Sequence, residues 1–201
     1  MPAKLTPLVL LVSTWLLACS HEVIRLQAAP PSPAPLQAPL PLTVAISLGS
    51  FERALLVNGV ALTTIYARQL RKSGLFEGVM FPVPLGAEPR WEIELSGWDS
   101  ASEPNSNFWK GLLATLPPLA LFITFQNDYT LQLEALLLDD REIVASYLGE
   151  ASIRHRYKKY ANRVDMNIEA LEVTVRDATS RIVAALVQDV RRLAQLNQRV
   201  R

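Results

Sequence analysis

The chain has 201 residues, half of them hydrophobic, and its formal net charge is +1. This near balance of charge excludes a general electrostatic attraction to nucleic acid, so that any charge-driven binding must be local. A single cysteine excludes an internal disulfide, and the hydrophobic core must therefore hold the fold without one.

The chain begins with the layout of a secretory signal. Lys4 supplies one positive charge and precedes an apolar run from Leu5 to Ala18. This run is about 14 residues long, whereas a membrane-spanning helix needs about 20, and Pro7 lies within its first turns. Residues 1–18 are therefore expected to be a cleaved leader and not a membrane span.

The leader is followed at once by the only cysteine, in the order Leu16-Leu17-Ala18-Cys19. This order resembles the lipobox of bacterial lipoproteins. The resemblance implies that the thiol of Cys19 carries a covalent lipid and that Cys19 is the first residue of the mature protein, with no other cofactor. The residue after the cysteine is Ser20 and not an aspartate. In lipoproteins of the enterobacterial type this implies sorting to the outer membrane. The alternative is an ordinary signal peptide followed by a chance cysteine.

Residues 19–41 differ in composition from the rest of the chain, because prolines alternate there with small and polar residues. The prolines are Pro30, Pro31, Pro33, Pro35, Pro39 and Pro41. Proline fixes φ and removes a backbone donor, which favours an extended chain of about 3.1 Å per residue. We expect a tether between the anchor and a single domain at residues 42–201. Plain disorder and a Pro-rich ligand for another domain are the open alternatives.

The domain is predicted to begin with a strand, a helix and a second strand. Apolar residues occupy every second position from Leu42 to Leu48, which indicates a strand. Helical spacing follows from Leu62 to Leu70, and Gly74 supplies a left-handed stop. A second strand is predicted from Gly78 to Val83, and Pro82 either places this strand at a sheet edge or makes its tail irregular. This order favours a parallel crossover.

The junction of this helix with the second strand has a recognisable pattern. It reads Leu70-Arg71-Lys72-Ser73-Gly74-Leu75-Phe76, followed by Val79. The pattern is similar to the strand-helix-strand domain of the curli-secretion and Pel-polysaccharide-secretion lipoproteins and of the amino-terminal domain of TolB. The resemblance implies an architecture, with Phe76 packed between helix and sheet, and it transfers no catalytic residue to this chain.

Three further strands are predicted from alternating apolar residues. One covers Trp91 to Leu95 and is followed by a polar loop at Asp99–Asn107. The other two, Tyr129–Leu137 and Glu142–Leu148, form a hairpin.

The C-terminal part of the chain is predicted to be one long helix. Apolar residues recur every three or four positions from Asp165 to Leu196, and they include Ile168. A loop or strand at the start of this helix stays open, because Val173, Thr174 and Val175 are poor helix residues. The fold class is therefore α+β, with a single mixed sheet of about five strands packed by a short helix and this long one.

A strongly apolar stretch without any charged residue runs from Leu112 to Phe125 and follows Phe108, Trp109 and Lys110. A membrane span is disfavoured by its length and by two central prolines. Buried cover for the sheet and an exposed docking loop both remain open, with core favoured for Phe122–Phe125 and exposure for Leu112–Pro118. The candidate interaction residues are Trp109, Leu112, Leu113, Leu116, Pro117 and Pro118.

The densest basic cluster is interleaved with aromatic residues between positions 154 and 163. Its candidate anion-binding residues are Arg154, Arg156, Lys158 and Lys159. Export would remove nucleic acid as a partner and leave anionic headgroups, acidic polysaccharide or an acidic protein patch. The alternative is a solvated strand end whose charge is balanced by Asp139, Asp140, Glu142 and Glu150.

Few residues suggest catalysis or a metal site. The two histidines, His21 and His155, lie in the tether and in the basic cluster, and no second cysteine exists. Asp139-Asp140 could form a carboxylate dyad, but adjacent acids before a hairpin turn are more typical of the turn itself. An enzyme is therefore not expected.

Two functions fit these observations. The first is a non-enzymatic lipoprotein of the outer membrane, facing the periplasm, which serves as an accessory or structural component of an envelope assembly or export complex and has a protein partner there. The second is a periplasmic lipoprotein module that binds a lipid or another apolar ligand, with Leu112–Phe125 as its lid.

Overall fold

The computed structural model describes residues 21–28, 30, 38–52, 59–120, 122–158, 163–190 and 192–194. Within these ranges the chain forms one six-stranded sheet and four helices. The strands are β1 (His21–Arg25), β2 (Leu40–Glu52), β3 (Phe76–Met80), β4 (Trp91–Ser102), β5 (Thr124–Asp139) and β6 (Glu142–Lys158). The helices are α1 (Gly59–Ser73), α2 (Ser106–Leu113), α3 (Pro117–Ala120) and α4 (Arg163–Gln188). The predicted α+β class is confirmed, while the predicted strand number is one too low.

The sheet is mixed, with the order β1-β6-β5-β4-β2-β3. The β2–β3 and β2–β4 pairs are parallel, and the other three pairs are antiparallel. Helices α1 and α4 cover one face, where their apolar side chains meet every second residue of the central strands. The other face is more exposed and mostly polar, with Leu148 among its few apolar residues.

The predicted strand-helix-strand unit is confirmed in β2, α1 and β3. Gly74 follows the helix with a φ of 63°, the left-handed conformation that glycine adopts without steric cost. Phe76 is buried, as expected from the junction pattern. β3 is the edge strand next to β2, and its regular part ends at Met80, before Pro82.

The expectation of a tether throughout residues 19–41 is wrong for its first part. His21–Arg25 forms β1 and pairs antiparallel with β6, in a register that places His21 opposite Tyr157. Val23 is half-buried in a small cluster with Tyr129 and Ile153. Arg25 donates hydrogen bonds to the nearly buried carboxylate of Asp177 on α4. Residues 31–37 of the predicted tether lie outside the described residues.

The hairpin of β5 and β6 is longer than predicted and forms the centre of the sheet. Its turn has positive φ at Asp140 and Arg141, and the side chain of Asp139 accepts a hydrogen bond of 2.7 Å from Arg90. β4 continues to Ser102 because its polar second half pairs with β5, so the loop predicted from Asp99 begins later than expected.

Helix α4 confirms the predicted long C-terminal helix and packs closely on β6. A Cβ at Gly149 would meet the carbonyl oxygen of Ala178 and would come within 2.8 Å of Cγ1 of Ile182. Ile168 was expected in the inward stripe but is 52% exposed, whereas Ala170, two residues later, is buried.

None of the helices in the described ranges has the length and apolar character needed to cross a membrane.

Candidate functional site

Helices α2 and α3 present their large apolar side chains to solvent instead of to the core. The exposed fractions of these side chains range from 41% to 77%. We call the set the apolar end; it comprises Phe108, Trp109, Leu112, Leu113, Leu116, Leu119 and Phe122. Contiguous exposed surface of this kind is uncommon on soluble monomers and marks interaction sites.

The inward side of the same segment is small and polar. Of the side chains that the structure describes in this region, those of Asn107, Ala114 and Ala120 are buried. Pro117 and Pro118 open helix α3, where a missing backbone N–H costs nothing, and the chain therefore turns here without a strand. The predicted exposure of Leu112 and Leu116 is confirmed.

Phe122 was expected to lie in the core. This prediction is wrong, because the side chain is 77% exposed. The chain reaches β5 only at Thr124, two residues later, and Phe122 lies in the turn before the strand. Phe125 is half-buried and stacks on the ring of Tyr157, with 5.6 Å between the ring centroids.

Asn107 fixes the apolar end to the sheet. Its buried side chain donates to the backbone carbonyl of Gln126 at 2.6 Å and accepts from the backbone N–H of Gln126 at 3.2 Å. A buried amide of this kind satisfies one backbone donor and one backbone acceptor of the strand. It therefore fixes helix α2 against β5. Sequence reasoning missed this residue, since one Asn within a polar loop gives no periodic signal.

The predicted anion-binding residues do not act as one cluster. Arg154 is paired on the open face with Asp128 through two hydrogen bonds of 2.9 Å, and this pairing lowers the pKa of the Asp128 carboxyl. Arg156 is exposed, and Lys158 donates to the backbone carbonyl of Phe122 at 2.9 Å. Lys159 lies outside the described residues.

The acids that were expected to balance this cluster lie elsewhere. Asp139, Asp140 and Glu142 are at the turn of the hairpin, the opposite end from Lys158, and Glu150 accepts a hydrogen bond from Gln27. Arg154 is instead balanced by Asp128, an acid of β5 that was not among the expected partners.

Arg156 and Lys158 line a surface groove of about 390 Å³ beside the start of β1. The other residues of this groove are His21, Glu22, Thr124 and Tyr157. Because Thr124 pairs with Lys158 and His21 with Tyr157, the groove, the apolar end and the start of β1 share one end of the sheet.

His155 is fully buried behind this groove. Neither of its ring nitrogens has a hydrogen-bond partner, and the rings of His21, Tyr129 and Tyr157 surround it. Burial lowers the pKa of His155; His21 lowers this pKa further, and Glu169, which bonds to His21 at 2.7 Å, opposes the shift. The neutral, buried ring is part of the packing and is not an anion ligand.

An apolar-ligand module would need a cavity, and a metal site would need several ligands close together. An apolar cavity lined by Asp99, Tyr129, Leu131 and Leu171, among others, has a volume of about 10 Å³, too small for an acyl chain. In the described part of the chain, no three His, Cys, Asp or Glu side chains lie close enough together to hold a metal ion.

Comparisons with known proteins give a fold and no family. No protein-family model matches the chain, and no curated protein matches it. The fold is similar to protein XCC0632 from Xanthomonas campestris, described as a member of family DUF330, with a TM-score of 0.52 and 12% identity over 84% of this chain and 96% of that one. At this identity the likeness concerns the fold alone.

Two further solved structures match with lower scores. A PelC dodecamer from Paraburkholderia phytofirmans has a TM-score of 0.35 and 12% identity over 82% of this chain and 99% of that one. A minor lipoprotein from Acinetobacter baumannii has a TM-score of 0.36 and 10% identity over 80% of this chain and 95% of that one. These scores are too low to support an argument.

Proposed function

We propose that the protein is a non-enzymatic lipoprotein of the outer membrane, anchored through a lipid on Cys19 and facing the periplasm. The observation that carries this proposal is the order Leu16-Leu17-Ala18-Cys19 directly after a charged and apolar leader. Cys19 is the only cysteine, so lipidation would leave no thiol for other chemistry.

We propose further that it is an accessory or structural component of an envelope assembly or export complex, with a protein partner at the periplasmic face. Two features of the described residues support a role without catalysis. The large exposed groups of the candidate site are apolar, and Asp139, the first acid of the conceivable dyad, is held by Arg90. The open sheet face, opposite to α1 and α4 and more exposed in the residues that the structure describes, offers a surface for such a partner.

Cys19→Ser tests the anchor. The purified wild-type protein should begin at Cys19 and carry the mass of its acyl chains, and it should fractionate with the outer membrane. Cys19→Ser should carry no lipid and should leave that fraction. Ser20→Ala is the matched control, because it changes the neighbouring residue and keeps the thiol. Normal outer-membrane fractionation of Cys19→Ser would contradict the proposal.

The mass of the detergent-extracted protein tests the accessory role. A large complex that contains a second envelope protein is expected. A monomer that carries co-purified lipid would instead favour the apolar-ligand module.

A further inference from the structure

We propose that the apolar end docks on the surface of a phospholipid bilayer and holds the domain against the membrane that carries its lipid anchor. This inference rests on the proposed function, because it takes the membrane to be the one in which Cys19 is anchored. It adds a second contact, made by the folded domain itself.

The first argument is the direction in which α2 and α3 place their apolar groups. Among the residues whose burial the structure describes, those on the inner side are Asn107, Ala114 and Ala120, whereas Trp109, Leu112 and Phe122 face water. Packing within the protein therefore does not account for the large apolar residues. An apolar surface of this kind gains free energy only when a partner removes it from water.

The second argument is the position of the anchor relative to this surface. β1 begins at His21, and a chain of two residues spans at most about 7 Å. His21 lies opposite Tyr157, next to Lys158, which in turn bonds to the carbonyl of Phe122. A lipid on Cys19 would therefore place the bilayer beside the end of the sheet that carries the apolar end.

The third argument is the chemistry around the apolar end. Trp109 and Phe122 are of the residue types that settle at the interface between headgroups and acyl chains. Lys110 follows Trp109 in α2, Lys158 is bonded to the carbonyl of Phe122, and Arg156 lines the groove together with Lys158. A long cationic side chain can reach lipid phosphates from such positions.

Acids also lie at this end of the sheet, and they limit the contribution of charge. Glu22 lines the groove, Glu103 approaches Asn127, and Glu169 is bonded to His21. These acids equal the three bases in number, so the balance is close to neutral and anionic lipids should change the contact little. The apolar side chains supply most of the free energy of this contact.

The test uses the full mature lipoprotein, reconstituted through its own anchor into protein-free phosphatidylcholine vesicles whose acyl chains are brominated. Bromine quenches tryptophan only at short range. Trp91 is buried, and Trp98 bonds to Gln132, about 26 Å of strand from Thr124. We expect strong quenching that Trp109→Phe abolishes and Trp98→Phe retains.

Two charge variants examine the rest of the surface. Leu116→Asp and Phe122→Asp should each reduce the quenching of Trp109, while Leu148→Asp, an equally exposed change on the open sheet face, should not. Adding phosphatidylglycerol should change the quenching little, and so should Lys158→Gln.

The outcomes separate the two proposals. If mass spectrometry finds no lipid on Cys19, the proposed function fails, and the docking proposal falls with it. If the lipid is present and Trp109 remains unquenched, the docking proposal alone is overturned. Shielding of Trp109 in native membranes but not in vesicles would assign the apolar end to a protein contact and would also overturn it.

Discussion

His155 is a buried base without a hydrogen-bond partner, and it makes the stability of the domain depend on pH. Its pKa in the folded state is lowered, mainly by burial, from an unfolded value of about 6.5. The unfolded chain therefore binds the proton first as the pH falls. The stability contributed by the neutral ring is complete above about pH 6.5 and is lost progressively below it, down to the folded pKa.

We expect the free energy of unfolding to fall between about pH 6.5 and 5.5, a range that lies above the ordinary carboxylate pKa values. His155→Phe should remove most of this slope because it keeps a ring of similar size without a titratable nitrogen. His21→Gln should keep most of it, since burial outweighs the charge of His21 as a cause. Urea titrations across the range measure the slope, and an unchanged slope in His155→Phe would contradict the assignment.

Gly74 ends helix α1 in the left-handed conformation, and no atom lies within 4 Å of the position that a Cβ would take there. Gly74→Val should therefore act through backbone strain alone and lower stability by about 1 kcal/mol or more. Gly111→Ala is the matched control, since Gly111 lies inside helix α2 with equally open space and should gain about 0.5–1 kcal/mol. Thermal melts that rank the two variants in the opposite order would remove the capping role.

At the scale of elements, β1 is held to the domain by Arg25 as well as by its pairing with β6. Arg25→Ala would leave the nearly buried carboxylate of Asp177 without this partner and should cost about 1–3 kcal/mol. Arg176→Ala, an exposed change one residue away on α4, should stay within about 0.5 kcal/mol. Equal melting temperatures for the two variants would mean that this pair does not hold β1.

The elements that sequence reasoning found are those whose signal is local. Alternation indicated β2 and the core of the hairpin, and Gly74 indicated the end of α1. β1 was missed because His21–Arg25 has only two adjacent apolar residues before a Pro-rich stretch, and its partner strand lies far along the chain.

The second half of β6 was overlooked for a different reason. Arg154, Arg156 and Lys158 were interpreted as a charge cluster, but Ile153, His155 and Tyr157 alternate with them and face inward. The period-two signal was present in the sequence and would have extended the strand to Lys158. The pairing of Arg154 with Asp128 had no such signal, because it depends on the register of the hairpin.

At the scale of the whole molecule, the apolar end is expected to be independent of the fold. Leu116→Asp and Phe122→Asp should leave the melting temperature of the detergent-solubilised lipoprotein nearly unchanged, within about 0.5 kcal/mol. Leu131→Asp is the contrasting change, since it buries an unpaired charge in the core and should cost several kcal/mol. Circular dichroism melts make the comparison, and loss of folding in Leu116→Asp would show that this segment supports the core.

The pairing of β1 with β6 also has a consequence for the order in which an exported chain matures. His21 is synthesised early, yet its partner Tyr157 is made much later, and closing so long a loop is slow. On the proposed anchor, the newborn chain would hang from its lipid by an unpaired segment until β6 has formed. Completion of the sheet would then draw the domain toward the bilayer, so that the height of the protein above the membrane reports whether it has finished folding.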